Sequence, residues 1–267
     1  MRSIKYILLS FLFTANAFAQ EAITYQKPPQ EILELTDIER APSVIADSKK
    51  QKMLLVFRDQ YKSIAELSEK ELRLAGLRIN PKTNIGSRTT YYNNIKLLTV
   101  ASQAINDING LPKKPRIANL NWSHDESKVA FTHTTTLGVE LWYIDLTNLQ
   151  AKRLTDATLN ANMGSVFRWF KSDKSLLVKF LPTNRKALID SNNAVPVGPT
   201  VSNSDGSKAQ NRTYQDLLKN PNDEFNFEQL AHSELMEVNL KGKIKAWQPS
   251  AMYSTIDFSP DGKYIAV

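Results

Sequence analysis

One short pattern recurs along this chain and limits what it can fold into. An aromatic residue leads into a polar turn carrying Asp, and the turn feeds an apolar, β-favouring run. The copies are Asn121-Trp122-Ser123-His124-Asp125-Glu126-Ser127-Lys128-Val129-Ala130-Phe131, Arg168-Trp169-Phe170-Lys171-Ser172-Asp173-Lys174-Ser175-Leu176-Leu177-Val178 and Phe258-Ser259-Pro260-Asp261-Gly262-Lys263-Tyr264-Ile265-Ala266-Val267. In the last copy Pro260 presets φ, Asp261 supplies a side-chain acceptor and Gly262 admits a positive φ. Asp125 and Asp173 lie about 48 positions apart and Asp261 follows after nearly two such steps, a spacing that matches propeller repeats of roughly 40–50 residues. Two copies continue into a hairpin: Leu141–Leu146 returns through Ala151–Leu154, and Leu235–Leu240 returns through Lys241-Gly242-Lys243 into Ile244–Trp247. Alternating apolar and polar positions mark half-buried antiparallel strands. Turns alone would also suit a β-sandwich. Turn and hairpin recurring in the same order favour an all-β β-propeller of four-stranded blades, which bury their faces by stacking.

The 267 residues suffice for one large β domain. Arg2 and Lys5, the apolar run Ile7–Phe13 and Ala17-Phe18-Ala19 form the three parts of a secretory signal, so residues 1–19 are expected to be removed and the mature chain to start at Gln20, periplasmic or secreted. No segment reads as a membrane span in the mature chain. There is no cysteine, hence no disulfide and no thiolate metal site. The net charge of +7 is dispersed, with short basic clusters at Lys49-Lys50-Gln51-Lys52 and Lys113-Lys114-Pro115-Arg116. Nucleic-acid binding would need a concentrated stripe, so these read as solvated surface.

Two stretches interrupt the repeat as loop or helical insertions. In Ser63–Arg78 the spacing of Leu67, Leu72, Leu74 and Leu77 predicts a short helix with Gly76 near its C-terminal end, followed by a turn-rich loop and a strand over Ser87–Tyr92. In the stretch from Leu181 to about Glu228, Pro182, Pro196, Gly198 and Pro199 exclude a regular central strand, and Thr213–Leu218 reads as a helical turn. Such insertions in repeat proteins either carry binding or are solvated excursions, and both readings stand here. Catalytic chemistry is not visible. No Gly-x-Ser-x-Gly elbow occurs. The only histidines, His124, His133 and His232, fall in a turn, a strand and beside Ser233, which does not make a triad. No spaced metal-ligand set or phosphate-cradling loop appears, so no cofactor is expected.

The insertions carry a family resemblance. Glu71-Leu72-Arg73-Leu74-Ala75-Gly76-Leu77-Arg78-Ile79-Asn80-Pro81-Lys82-Thr83-Asn84 with Ser87-Arg88, then Val195-Pro196-Val197-Gly198-Pro199 and Arg212-Thr213-Tyr214-Gln215-Asp216-Leu217-Leu218-Lys219, resemble segments of the glutamyl endopeptidase-like subgroup of the prolyl oligopeptidase family of serine peptidases. Pro28–Ile32 and Ala251–Asp261 match in order. The resemblance implies an N-terminal propeller that gates peptide substrates, followed by a C-terminal α/β-hydrolase domain holding the catalytic serine, acid and histidine. On this reading residues 20–267 are a propeller portion, incomplete at the C-terminus, and the substrate is met through a hydrolase domain absent from the sequence. Arg73, Arg78 and Arg88 lie in the most specific motif. They are candidates for holding a substrate carboxylate, which arginine does with a bidentate fork. They can equally brace the loop through Glu66, Glu69 or Glu71, and the sequence favours bracing. The rival function is a stand-alone periplasmic binding or scaffold propeller, similar in role to TolB-type propellers.

Overall fold

In the computed structural model, residues 27–36, 38–190, 203, 206 and 215–267 are described, and the predicted signal segment lies outside them. A short unit ending at Glu39 holds helix α1 (Gln30–Thr36), none of whose residues is buried. The unit from Arg40 onward is built from antiparallel sheets. Sheet 1 comprises β1 (Ser43–Ala46), β2 (Lys52–Phe57), β6 (Asn94–Thr99) and β7 (Ala104–Asp107), with helix α2 (Ile64–Leu67) and strands β3 (Leu72–Leu74), β4 (Leu77–Asn80) and β5 (Ile85–Gly86) inserted between β2 and β6. Sheet 2 is β8 (Ile117–Trp122), β9 (Lys128–Thr134), β10 (Val139–Asp145) and β11 (Gln150–Arg153). Sheet 3 is β12 (Phe167–Trp169), β13 (Ser175–Phe180), β14 (Ser233–Asn239) and β15 (Ile244–Ala251), with helix α3 (Pro221–Ala231) between β13 and β14. Strands β16 (Asp257–Phe258) and β17 (Ile265–Ala266) follow as a pair. Both hairpins read from the sequence are present, β10 with β11 and β14 with β15.

The sheets stack face to face, and strand alternation shows how. On β9, Val129 and Phe131 join Leu54, Val56, Ile95 and Leu97 of sheet 1 in one core, whereas Ala130 turns to the other face and packs with Trp169, Leu176 and Val178 of sheet 3. On β13, Leu176 and Val178 face sheet 2 while Leu177 packs with Leu235, Tyr253 and Ile256 on the next side. A strand covered on both faces needs apolar residues at successive positions, as in Leu176-Leu177-Val178. Each fully buried side chain of this size contributes about 1.5–3 kcal/mol. Four-stranded antiparallel sheets stacked in chain order are propeller blades.

The repeated turn has one geometry in four places. Its first residue donates N–H to the residue five positions on and accepts N–H from the residue three on: Asp47 with Lys52 and Lys50, Ser123 with Lys128 and Glu126, Phe170 with Ser175 and Asp173, Ser259 with Tyr264 and Gly262. The fourth residue is left-handed in every copy, with φ of 55° at Lys50, 54° at Glu126, 54° at Asp173 and 72° at Gly262. This corrects the register of the sequence alignment. Asp125 and Asp261 are equivalent, but the counterpart of Asp173 is Glu126. It also adds a copy the aromatic signal missed, because Lys49-Lys50 is turn as well as basic surface.

The left-handed residue reaches back to the preceding turn. Glu126 Oε1 accepts the Ser48 N–H at 2.6 Å. Asp173 accepts the N–H groups of His124 and Asp125, each at 2.8 Å, and meets His124 Nδ1 at 2.8 Å. Gly262 has no side chain to offer. A Cβ there would stand 3.1 Å from Lys171 Cδ, and Lys171 Nζ donates instead to the Pro260 carbonyl at 2.7 Å. Successive blades are therefore fastened turn to turn. Sheet 3 also holds a buried cation: Lys179 Nζ donates to the carbonyls of Met163 and Tyr253, and burial pushes the amine down to about 8.

Candidate functional site

The insertions, spanning 58–93 and 181–232, both join the second and third strands of a blade. They leave sheets 1 and 3 at the same end, on either side of the tight Thr135–Gly138 turn of sheet 2. There they meet. Leu74, Ile79 and Leu230 are buried together, with Leu72, Leu77, Leu188, Leu218 and Phe227 packed around them. The small core joins hairpin β3–β4 from one insertion to α3 from the other.

The segment from Leu72 to Asn80 is this hairpin, not the predicted helix. Leu72 pairs with Ile79, Arg73 with Arg78 and Leu74 with Leu77. Ala75 and Gly76 form the connection with φ of 49° and 79°, the paired positive values of a type I′ turn. Over so few residues the leucine spacing fits a helix, but Leu-Arg-Leu and Leu-Arg-Ile also alternate strictly on either side of the turn, and that period wins. Helix survives only at Ile64–Leu67, where Ser63 and Glu66 form a capping box. Ser87–Tyr92 is not a strand either. Tyr92 makes a single bridge to Ile117, and the strand begins at Asn94. In the second insertion Gln215–Leu218 is not helical, while Thr213 and Tyr214 lie outside the described residues, as do Arg212 and Val195–Pro199. The helix stands later, at Pro221–Ala231, capped by Asn220, whose side chain accepts the Asp223 N–H, with Pro221 opening it. Asn-Pro followed by Asp and Glu was a readable start signal.

The three candidate arginines converge on one carboxylate of the chain itself. Glu71 accepts from Arg73 Nε at 3.0 Å, Arg78 Nη1 at 3.0 Å and Ser87 Oγ at 2.5 Å, with Arg88 Nε at 3.6 Å. The Ser87 hydrogen bond, then the arginines, outweigh partial burial and hold the Glu71 carboxyl down at about 2. Arg78 also pairs with Asp216 at 2.8 Å, and the Asp216 carbonyl accepts the Gly76 N–H at 3.3 Å. Arg185 Nη1 reaches Asn84 Oδ1 at 2.5 Å. The two stretches that carry the family resemblance are therefore bound to each other. Arg78 is the inner member with 20% of its side chain exposed, against 57% for Arg73 and 68% for Arg88. Beside Glu71 runs a cleft of ≈ 350 Å³ lined by Lys70, Leu72, Leu188, Asp190, Asp223 and Asn226.

His124 lies in its turn against Asp173, and buried His133 accepts the Arg116 N–H at Nδ1 while burial pushes its ring below the usual range. Among the described residues no hydrogen bond joins a serine hydroxyl to a histidine ring, and no helix is long and apolar enough to cross a membrane.

Blades fastened by their turns, with two interlocked insertions at one end, define the chain as propeller-type. No protein-family model matches it. It is 32% identical over 259 residues to a probable chloroplastic glutamyl endopeptidase of Oryza sativa subsp. japonica, covering 91% of this chain and 27% of that protein. It is 31% identical over 261 residues to the corresponding protein of Arabidopsis thaliana, covering 91% of this chain and 26% of that one. Among solved structures it is similar to a prolyl endopeptidase, with a TM-score of 0.47 and 14% identity over 96% of this chain and 30% of the other. The chain is similar to these probable glutamyl endopeptidases, the subgroup its motifs resemble, and spans about a quarter of their length.

Proposed function

We propose that this chain is the propeller part of an exported serine-type peptidase resembling the glutamyl endopeptidases, that it gates peptide access, and that it is not catalytic by itself. The observation that carries this is the identity across 91% of the chain to proteins of which it spans 27% and 26%. The interlocked insertions give the propeller a braced end, a suitable rim for a gate.

The purified chain is expected neither to hydrolyse glutamyl or prolyl chromogenic peptides nor to be labelled by a fluorophosphonate serine probe, and a labelled serine would refute the non-catalytic role. The link to a peptidase is tested on the transcript. Its frame is expected to run past Val267 into a Gly-x-Ser-x-Gly segment, and a stop codon there would favour a self-standing binding propeller. Export makes a separate prediction. Protein recovered from an exporting host should begin at Gln20, as the charged, apolar and small-residue segments of residues 1–19 direct. A soluble product that keeps Met1 would argue against export.

A further inference from the structure

We propose that the cleft at the root of the first insertion is an oxyanion site, in which Arg58 and Arg116 take a carboxylate or phosphate group. The cleft has a volume of ≈ 150 Å³ and is walled, among the described residues, by Arg40, Arg58, Lys62 and Arg116 against two carboxylates, Asp59 and Glu66. Both carboxylates are engaged. Asp59 accepts from Asn93 Nδ2 at 2.7 Å, and Glu66 accepts from the backbone and hydroxyl of Ser63.

Arg58 has neither a hydrogen bond nor an ion pair among the described residues, and its Nε is buried. Arg116 meets Glu69 at 3.2 Å through Nη1 and Glu66 at 4.0 Å through Nη2, yet its Nε is also buried without an acceptor. Its guanidinium lies over the Tyr91 ring, 4.4 Å from the centroid, which fixes the plane of the fork. A buried N–H on a cation stays costly until an acceptor reaches it. The two arginines that carry these N–H groups line one cleft together with Arg40 and Lys62, and a ligand bearing two or more anionic oxygens matches that set of cations. The volume is below the roughly 300–1,000 Å³ of drug-sized pockets, so the cleft suits one acidic group and not an extended molecule. Neither arginine belongs to the Glu71 cluster, and the inference does not depend on the peptidase reading.

The test is calorimetric titration of the full chain at low ionic strength, with N-acetylglutamate in one arm, inorganic phosphate in a second and chloride as control. Saturable binding in either of the first two arms supports the site and tells carboxylate from phosphate. Arg58→Gln should then weaken that ligand by about 10- to 100-fold, the loss of a charged hydrogen-bond pair. Arg58→Lys, which keeps the charge but not the fork, should fall between and guards against a misfolded glutamine variant. Arg153→Gln, at an exposed arginine paired with Glu140 and Asp156, should bind as the parent does. Failure of the parent to bind either ligand, equal binding of chloride, or unchanged affinity in both Arg58 variants would each overturn the proposal.

Discussion

Asp173→Ala is expected to lower the unfolding free energy by about 3–4 kcal/mol. The Asp173 side chain is 8% exposed and meets the backbone N–H groups of His124 and Asp125 and the His124 ring, all at 2.8 Å. Hydrogen bonds to a charged acceptor contribute about 1.5–3 kcal/mol each, and they are not fully additive when they share one carboxylate. Two companion variants separate the contact from the backbone. Asp173→Asn keeps one acceptor oxygen and tolerates the 54° φ, so it should cost less than half as much. Asp173→Gly loses the contact but relieves the left-handed strain, as Gly262 does natively, and should be milder than alanine by about 0.5–1 kcal/mol. Urea unfolding with an unchanged m-value is the measurement. A loss below about 1 kcal/mol for alanine would show that the blades are held by apolar stacking alone.

Loss of the Glu71 carboxylate should act at the other end, on the interlocked insertions. Glu71→Ala leaves Arg73, Arg78 and Ser87 without their shared acceptor, and about 2–3 kcal/mol is expected after discounting for the 21% of the side chain open to water. The effect depends on pH with a fixed sign. The unfolded chain binds a proton at this position near 4.5 and the folded one only near 2, so the contribution is complete above 4.5 and fades as pH falls towards 2. Parent and variant should differ most at neutral pH and converge in acid. Hydrogen exchange should show faster opening of β3, β4 and α3 in the variant, with blade strands unaffected. Equal differences at neutral and acid pH would mean that the ionised carboxylate is not what braces the insertions.

These two clusters show where sequence stops being informative. The blade turns and the strands after them were readable because their hydrogen bonds close over three and five residues, so the sequence signal is local. The copy at Asp47–Lys52 escaped because it lacks the aromatic residue that leads into the others. The Leu72–Asn80 hairpin was misread as a helix because its three leucines, with Leu67 before them, satisfy either period in so short a run, and Ala75-Gly76 decided it by accepting two left-handed residues in succession. The arginine motif was visible as a motif. Its role was not: whether Arg73, Arg78 and Arg88 face outward or share Glu71 depends on strands β3 and β4 pairing and on Asp216 arriving from the second insertion.

What the sequence determined by itself is thus what lies within a few residues along the chain: the repeated turn, the alternating strands, the hairpins, the family of the insertion motifs. Tertiary structure alone decided which blade fastens to which, through a carboxylate and N–H groups 49 and 48 positions apart in Asp173, His124 and Asp125. It alone brought together Arg58 and Arg116, and the two insertions over sheet 2. The reason is physical. A turn is selected by the backbone preferences of its own residues, whereas a charged contact between distant residues exists only after the sheets have stacked and withdrawn both partners from water.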